Sequence, residues 1–254
     1  MKGSALRHEL MPSPNHEPRR LGVAPTILLL HYTGMESAAV SLQRLCDPGA
    51  KVSCHYLVDE QGRIVQMVDE DERAWHAGRA AWRGMTDINS ASIGIEIQNI
   101  GHNGDYPPFT DMQMDAVVAL CADIVQRNKI RPEMVLAHSD VSPDRKDDPG
   151  EKFDWRRLHE AGVGAWVEPA AETVGASCKP GDSSPEVRNL QAALNGYGYD
   201  IAPTGLYDHA TELVVVAFQR HFRPSRVDGV ADPSTIATLQ HLMREFPLNP
   251  SGTA

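Results

Sequence analysis

The sequence lacks a long apolar run, an excess of basic charge and a block of like charge. Its longest apolar stretch, residues 23–30, is interrupted by Pro25 and Thr26, and about 20 apolar residues are needed to span a bilayer. The chain has 24 Lys and Arg against 34 Asp and Glu, and its formal net charge is -10. Such acidity disfavours nucleic acid and anionic membranes as partners. The sequence therefore predicts neither an integral membrane segment nor a nucleic-acid partner.

Cysteine is scarce, and no pair of cysteines has the CxxC spacing. The chain contains Cys46, Cys54, Cys121 and Cys178, so a zinc site built from thiolates is disfavoured. We interpret these residues as buried free thiols. A Cys46–Cys54 disulfide is the alternative, which a reducing cytosol would disfavour.

The first twenty residues lack the apolar segment of a signal peptide. Residues 1–20 are polar and rich in proline, which predicts a flexible arm. We expect a cytoplasmic protein, with the periplasm or cell envelope as the alternative if an export segment has been removed.

Two domains are predicted on either side of a linker. Residues 165–182 are small, polar and turn-forming, which is typical of a linker. They separate a first domain over residues 21–164 from a second over residues 183–246, and both lengths suit independent domains.

The first domain has the pattern of a mixed α/β fold. Thr110 and Gln113 can form a capping box for a helix that follows, and a turn at residues 59–62 predicts a hairpin. Polar groups stand at the strand ends, where such domains usually place their sites. Short strands are predicted at residues 26–31, 52–58, 63–68, 92–98 and 135–137.

The second domain predicts three short helices around one small core. A weak repeat places Gly, Asp and Thr at the same spacing twice, and Asp or Thr after a turn glycine suits a helix N-cap. No acid–base cluster stands out, so we interpret this domain as a binding module. The repeated residues are Gly205, Asp208 and Thr211, then Gly229, Asp232 and Thr235.

Metal-ligating residue types are concentrated in one turn-forming loop. Residues 138–150 carry His138, Lys146 and Asp148, and His31 ends an apolar strand earlier in the chain. Two imidazoles and one carboxylate leave a fourth position open, which is the ligand set of a catalytic zinc. The spacing leaves other ligands open, namely the carboxylates Asp140, Asp144 and Asp147 and the imidazoles His55, His76 and His102.

Two further residues suggest hydrolytic chemistry. A hydrolase needs a base for the attacking water and positive charge for the oxyanion that forms. Glu96 alternates with Ile93, Ile95 and Ile97 on a predicted strand, and a carboxylate is not placed there for packing. We therefore interpret Glu96 as the base and Lys146 as the oxyanion partner, although Lys146 could equally be an ordinary surface lysine.

Five segments of the first domain resemble the type 2 N-acetylmuramoyl-L-alanine amidases, a family that shares its fold with the peptidoglycan recognition proteins. They occur in order and cover roughly residues 20–160. The segments are residues 29–34 (LLHYTG), 52–58 (VSCHYLV), 75–78 (WHAG), 92–96 (SIGIE) and 138–150 (HSDVSPDRKDDPG).

The resemblance implies a mixed central β-sheet flanked by helices, with one zinc ion in a groove. It implies His31, His138 and Asp148 as ligands, Glu96 as general base and Lys146 as an aid to the transition state. The bond cleaved would be the amide between the lactyl group of N-acetylmuramic acid and L-alanine of the stem peptide. The residues expected to line the substrate groove are Tyr56, His76, Ala77, Trp82 and Asn99.

The second domain resembles the three-helix peptidoglycan-binding domain of wall hydrolases. The similar segments are residues 187–191 (VRNLQ), 204–208 (TGLYD), 217–219 (AFQ) and 227–229 (VDG). Such a module would raise the local substrate concentration by tethering. Relatives with this layout are often exported or lipid-anchored, whereas a cytosolic relative would recycle anhydro-muropeptides.

Two other functions compete with a zinc amidase. A noncatalytic peptidoglycan receptor shares the fold, but such receptors typically lack a metal ligand, and here the full set is present. A zinc peptidase cutting within the stem peptide would use similar chemistry, and the motifs disfavour it. The substrate is expected to be peptidoglycan or a muropeptide, and the protein is expected to act as a monomer.

Overall fold

The computed structural model describes residues 1–22 and 24–247; Val23, which begins the apolar run noted above, lies outside them. No helix in these ranges is both long enough and apolar enough to cross a bilayer. The strands are β1 (Glu9–Leu10), β2 (His16–Pro18), β3 (Ile27–Tyr32), β4 (Tyr56–Val58), β5 (Ile64–Gln66), β6 (Glu72–Ala74), β7 (Ser92–Ile97) and β8 (Val135–Ala137). The helices are α1 (Ala38–Cys46), α2 (Ile88–Ala91), α3 (Asp111–Asn128), α4 (His138–Val141), α5 (Trp155–Glu160), α6 (Pro185–Tyr197), α7 (His209–Phe222) and α8 (Pro233–Glu245).

A mixed sheet forms the centre of the first domain, which confirms the predicted fold class. Its strands lie in the order β1-β5-β4-β7-β3-β8. Strands β4, β7, β3 and β8 are parallel neighbours, and β4 and β5 form the predicted antiparallel hairpin. The apolar residues of β3 are fully buried on both faces of the sheet, and the isoleucines of β7 are fully buried on one face, as expected for parallel strands covered by helices.

Helix α3 begins where the sequence predicted, but with half of the predicted capping box. The Thr110 side chain accepts from the backbone N–H of Gln113. The Gln113 amide is buried and donates instead to the carbonyls of Gln98 (2.8 Å) and Val58 (3.4 Å). The glutamine therefore joins α3 to the sheet and does not close the cap.

The N-terminal segment differs from the predicted flexible arm. Strand β1 pairs with the sheet edge at β5, and β2 pairs with β6. Asn15 is buried, and its amide donates to the carbonyls of Asp47 (2.9 Å) and Val52 (2.8 Å). The sequence pattern could not show this because strands of two or three residues have no readable periodicity, and the segment is held by polar side chains.

The cysteines are free thiols in the part of the chain that the structure describes. Cys54, Cys121 and Cys178 are buried, and Cys46 is half-buried. The alternative of a Cys46–Cys54 disulfide is therefore wrong: Cys54 Sγ instead lies 3.8 Å from Met67 Sδ.

The C-terminal region is formed by α6, α7 and α8, as predicted from the sequence. Asp208 caps α7 by accepting from Thr211 N–H, and Asp232 caps α8 by accepting from Thr235 N–H. The turn glycines that precede both caps have positive φ, +85° at Gly205 and +70° at Gly229. The sequence repeat therefore corresponds to two equivalent turn–helix units.

The C-terminal helices pack directly against the first domain. One cluster of buried apolar side chains continues from the sheet into α6, α7 and α8. Residues 171–177 of the predicted linker are exposed, but Ala165, Trp166 and Val167 are buried, and Cys178 pairs with Ala231. The connection is therefore anchored at both ends.

Candidate active site

The carboxyl ends of three adjacent parallel strands carry the predicted site residues. His31 on β3 lies in register with Glu96 on β7, and His138 directly follows β8. Asp148 reaches the same edge because the loop folds back, with Ser139 N–H donating to the Asp148 carbonyl at 3.0 Å. Open α/β sheets commonly bind ligands at this edge.

Three ligand atoms converge at this edge. His31 Nδ1 lies 2.9 Å from His138 Nδ1 and 2.9 Å from Asp148 Oδ2, and His138 Nδ1 lies 3.0 Å from the same oxygen. All three residues are buried. Two imidazole lone pairs and a carboxylate oxygen facing one another repel unless a cation stands between them. The cluster is therefore a candidate metal centre with the predicted ligand set.

A chain of hydrogen bonds fixes which nitrogen of His31 is free. The Ile88 carbonyl can only accept, so the Ser92 hydroxyl donates to it at 2.6 Å. Ser92 Oγ can then accept from His76 Nε2 (3.3 Å), and His76 Nδ1 can accept from His31 Nε2 (3.0 Å). The proton on His31 Nε2 leaves Nδ1 with its lone pair toward the metal centre.

His138 has a simpler partner. Its Nε2 lies 2.9 Å from the Ala77 carbonyl, which accepts, so Nδ1 again carries the lone pair. Such outer hydrogen bonds are the usual support for metal-ligating histidines. Gly94 makes the His76 contact possible, because a Cβ at this position would lie 2.5 Å from His76 Nδ1.

The surroundings favour the protonation states that a metal requires. Burial and the neighbouring His138 lower the pKa of His31 to about 4, so its imidazole is neutral at pH 7. Burial acts to raise the pKa of Asp148, but His138 and His31 outweigh it and hold this pKa far below the ordinary range. Both groups are thus ready to bind a cation.

Glu96 stands beside the metal centre without a structural role. Its side chain is half-buried, and its Oε2 is inaccessible and has no hydrogen-bond partner among the described residues. Burial and the Asp148 carboxylate raise the pKa of Glu96 well above its usual range, and Lys146 acts in the opposite direction. A carboxyl group with a raised pKa next to a metal centre is suited to proton transfer.

A cavity of about 330 Å³ gives access to these groups. Its wall includes His31, His138, Asp148, Glu96 and Lys146, so the five predicted catalytic and metal-binding side chains share one space.

The other candidate ligands have partners elsewhere. Asp140 contacts Tyr199 and His221, Asp144 pairs with Arg79, and Asp147 pairs with Arg220. His55 accepts from the Gly94 N–H, and His102 pairs with Glu151.

Of the five predicted groove residues, all of which the structure describes, His76 lines the cavity. The predicted substrate contacts of the other four are not supported by where their side chains lie. Trp82 is fully buried and packs edge-on against Tyr197 and Tyr199 of the second domain.

Tyr56, Ala77 and Asn99 are also buried away from the cavity. The Tyr56 hydroxyl donates to Glu70 at 2.6 Å, and the Asn99 amide donates to the Pro107 carbonyl at 2.9 Å. Tyr56 and Asn99 therefore make structural contacts within the domain. The prediction rested on the resemblance: Tyr56 and Ala77 lie inside similar segments and Asn99 lies three residues after one, but these positions do not bring their side chains to the cavity.

The cavity wall also includes residues that the sequence analysis did not assign to the site, among them Arg44, Trp75 and Arg145. Arg145 precedes Lys146 and Trp75 precedes His76, so both could have been found from their neighbours. Arg44 lies in the last turn of α1, and no motif marked that helix.

Two histidines and one carboxylate with an open fourth position, beside a half-buried glutamate, are typical of a metal-dependent hydrolase. The family model described as N-acetylmuramoyl-L-alanine amidase matches residues 21–151, and one described as a peptidoglycan binding domain matches residues 183–239. The chain belongs to the N-acetylmuramoyl-L-alanine amidase family.

Individual relatives agree with this assignment. The N-acetylmuramoyl-L-alanine amidase AmiD of Escherichia coli (strain K12) is 38% identical over 232 residues, which are 87% of this chain and 83% of AmiD. The 1,6-anhydro-N-acetylmuramyl-L-alanine amidase AmpD of Enterobacter cloacae is 34% identical over 166 residues, covering 59% of this chain and 87% of AmpD.

Solved structures show the same relationship. AmiD from E. coli, in complex with the substrate anhydro-N-acetylmuramic acid-L-Ala-D-gamma-Glu-L-Lys, superposes with a TM-score of 0.77 at 37% identity, covering 92% of this chain and 94% of AmiD. AmpDh3 from Pseudomonas aeruginosa, in complex with anhydromuramic pentapeptide, has a TM-score of 0.74 at 31% identity, covering 90% and 95% of the two chains. Both matches extend over most of the two-domain chain.

Proposed function

We propose that this chain is a zinc-dependent amidase that hydrolyses the amide between the lactyl group of N-acetylmuramic acid and L-alanine of the stem peptide. The convergence of His31, His138 and Asp148 beside Glu96 in one cavity carries the proposal. Membership of the N-acetylmuramoyl-L-alanine amidase family supports this amide as the bond that is cleaved. The ligands of the AmiD and AmpDh3 complexes support anhydro-muropeptides as substrates, and intact peptidoglycan offers the same bond.

One zinc ion per chain suits the residues present. The Nδ1 atoms of His31 and His138 and Oδ2 of Asp148 converge within 3.0 Å of one another. Nitrogen and carboxylate ligands of this number are those of catalytic zinc sites. When bound, zinc lowers the pKa of a coordinated water and polarises a carbonyl group.

Glu96 and Lys146 supply the remaining chemistry. Glu96 accepts a proton from the attacking water and returns it to the amide nitrogen of L-alanine as the C–N bond breaks. Its raised pKa brings it closer to neutral pH, where one group can serve as both base and acid. The Lys146 ammonium, in the cavity wall, stabilises negative charge on the carbonyl oxygen. All of these residues come from one chain, which supports action as a monomer.

The test is to incubate the purified protein with an anhydro-muropeptide and to identify the products by mass spectrometry. We expect anhydro-N-acetylmuramic acid and an intact peptide that begins with L-alanine. A chelator should abolish turnover, and added zinc should restore it. Cleavage only within the peptide, or full activity after metal removal, would contradict the proposal.

A further inference from the structure

We propose that helix α7 of the C-terminal domain positions the metal-binding loop, residues 138–148, and so supports the candidate metal centre in the first domain. This inference rests on the proposed function, because it takes His138 and Asp148 as the ligands at the two ends of that loop. Two consecutive residues of α7, Arg220 and His221, contact the loop near those ends.

His221 holds the first end of the loop. Its Nδ1 lies 2.7 Å from Asp140 Oδ2, and the Tyr199 hydroxyl donates to Asp140 Oδ1 at 2.6 Å. Asp140 Oδ2 also accepts from the backbone N–H of Ala137 at 2.8 Å. Ala137 is the residue before His138, so one buried carboxylate joins the C-terminal domain to the start of α4.

Arg220 holds the other end. Its Nη1 lies 2.7 Å from Asp147 Oδ1, and its Nε lies 3.7 Å from Glu151 Oε2. The Arg220 side chain is mostly enclosed, with 16% of its surface exposed. Asp147 precedes Asp148, so this ion pair restrains the backbone that places the carboxylate ligand.

Packing contacts join both α7 and its neighbour α6 to the first domain. The His221 ring of α7 stacks on Trp155 of α5 with 3.7 Å between ring centroids. The backbone N–H of Arg83 donates at 2.9 Å to the carbonyl of Gly198, which directly follows α6. A helix fixed in this way can hold the loop in one conformation, and preorganised ligands bind a metal more tightly.

The experiment compares zinc affinity in Arg220→Ala, Arg220→Lys, His221→Phe and His221→Gln by competition with a chromophoric chelator. We expect Arg220→Ala and His221→Phe to weaken zinc binding by up to about 10-fold, the lower end of the effect of losing a partner that contacts a ligand directly, because these residues contact Asp147 and Asp140 beside the ligands. Lysine and glutamine keep a donor for Asp147 and Asp140 and should restore much of the affinity. The cobalt(II) absorption spectrum should change in the two weakened variants, and kcat on a soluble anhydro-muropeptide should fall with little change in KM.

The sign of the Arg220→Ala effect separates positioning from simple electrostatics. Arg220→Ala removes a positive charge and leaves Asp147 without its partner, so by charge alone it would strengthen zinc binding. Loss of positioning would instead weaken zinc binding. Arg226→Ala is the matched control, because Arg226 forms its ion pair with Asp228 inside the C-terminal domain, and it should bind zinc as the wild type does.

The outcomes distinguish the two proposals. If the wild-type protein fails to bind one zinc ion per chain, the proposed function fails. If the wild type binds zinc and Arg220→Ala and His221→Phe bind it equally well or more tightly, the positioning role alone is overturned.

Discussion

Two buried clusters of histidine and aspartate in this molecule have nearly the same composition and opposite character. In the candidate metal centre, one potential ligand atom from each of His31, His138 and Asp148 points toward the same position. In the cluster between the domains, which we call the junction cluster, His221 and Tyr199 meet the two oxygens of Asp140. The first arrangement brings three acceptor atoms together and so suits a cation, whereas the second pairs an acceptor carboxylate with donors. Orientation, and not residue type, separates a metal site from a structural network.

The largest expected effect comes from removing Glu96, the proposed base beside the candidate metal centre. Glu96→Gln should lower kcat by about 10²–10⁴-fold, the usual contribution of a general base. Zinc content should stay at the wild-type level, because Glu96 is not among the converging ligand atoms. Turnover by stopped assay and zinc by elemental analysis are the measurements. Loss of zinc in this variant would mean that Glu96 is a ligand.

Two aspartate variants should separate the two clusters. Asp140→Ala leaves the buried donors of the junction cluster unpaired and should destabilise the protein by roughly 3–5 kcal/mol, as when a buried pair loses one partner. Asp148→Ala should lose zinc binding and the stabilisation that zinc confers. Chemical denaturation with and without zinc measures both effects. Zinc binding retained in Asp148→Ala would point to another carboxylate as the ligand.

Acid should lower the unfolding free energy of the metal-free protein, because its buried imidazoles resist protonation in the folded state. The pKa of His31 is lowered to about 4 in the folded state, so folding favours the neutral ring. The stability that His31 contributes is therefore present above pH 6.5 and is lost as the pH falls through about 4, by roughly 3 kcal/mol. His55, with a pKa lowered to about 3 by burial, acts in the same direction.

Unfolding free energy measured against pH in metal-free protein tests this expectation. The variant His31→Asn should have a shallower dependence between pH 6.5 and 4. An identical slope in wild type and variant would assign the acid sensitivity to other groups.

The smallest effect is expected at the outer partner of the metal centre. His76→Phe removes the acceptor for His31 Nε2 and should weaken zinc binding about 10-fold. His76→Gln keeps an acceptor and serves as the control. If both variants bind zinc normally and only KM rises, His76 contacts substrate as first predicted from the sequence.

The parts of this molecule that could be predicted from sequence are those with local signals. An apolar run of strand length located β3, the alternation of isoleucines with other residues located β7, and Thr110 located the start of α3. His31 and Glu96 lie side by side because both occupy the next-to-last position of neighbouring parallel strands. The sheet register, which no spacing reveals, is what joins them.

The rest depended on contacts between distant segments. Asp140 and Asp148 belong to one loop, and spacing alone left Asp140 open as a competing ligand. His221 and Tyr199, whose side chains pair with the Asp140 carboxylate, lie in another domain. Trp82 was predicted to line the groove, but Tyr197 and Tyr199 of the second domain pack against its ring. The N-terminal strands β1 and β2 were not predicted because they are ordered by pairing with β5 and β6, and their own residues carry no strand pattern.

The apolar cluster that continues from the central sheet into α6, α7 and α8 has a consequence for folding cooperativity. When two domains share a core, neither can open without exposing apolar surface of the other, so their unfolding is coupled. A single calorimetric transition is the expected signature. The C-terminal domain of this protein is then part of the folding unit of the enzyme, and a truncated first domain would expose the surface that the helices now cover.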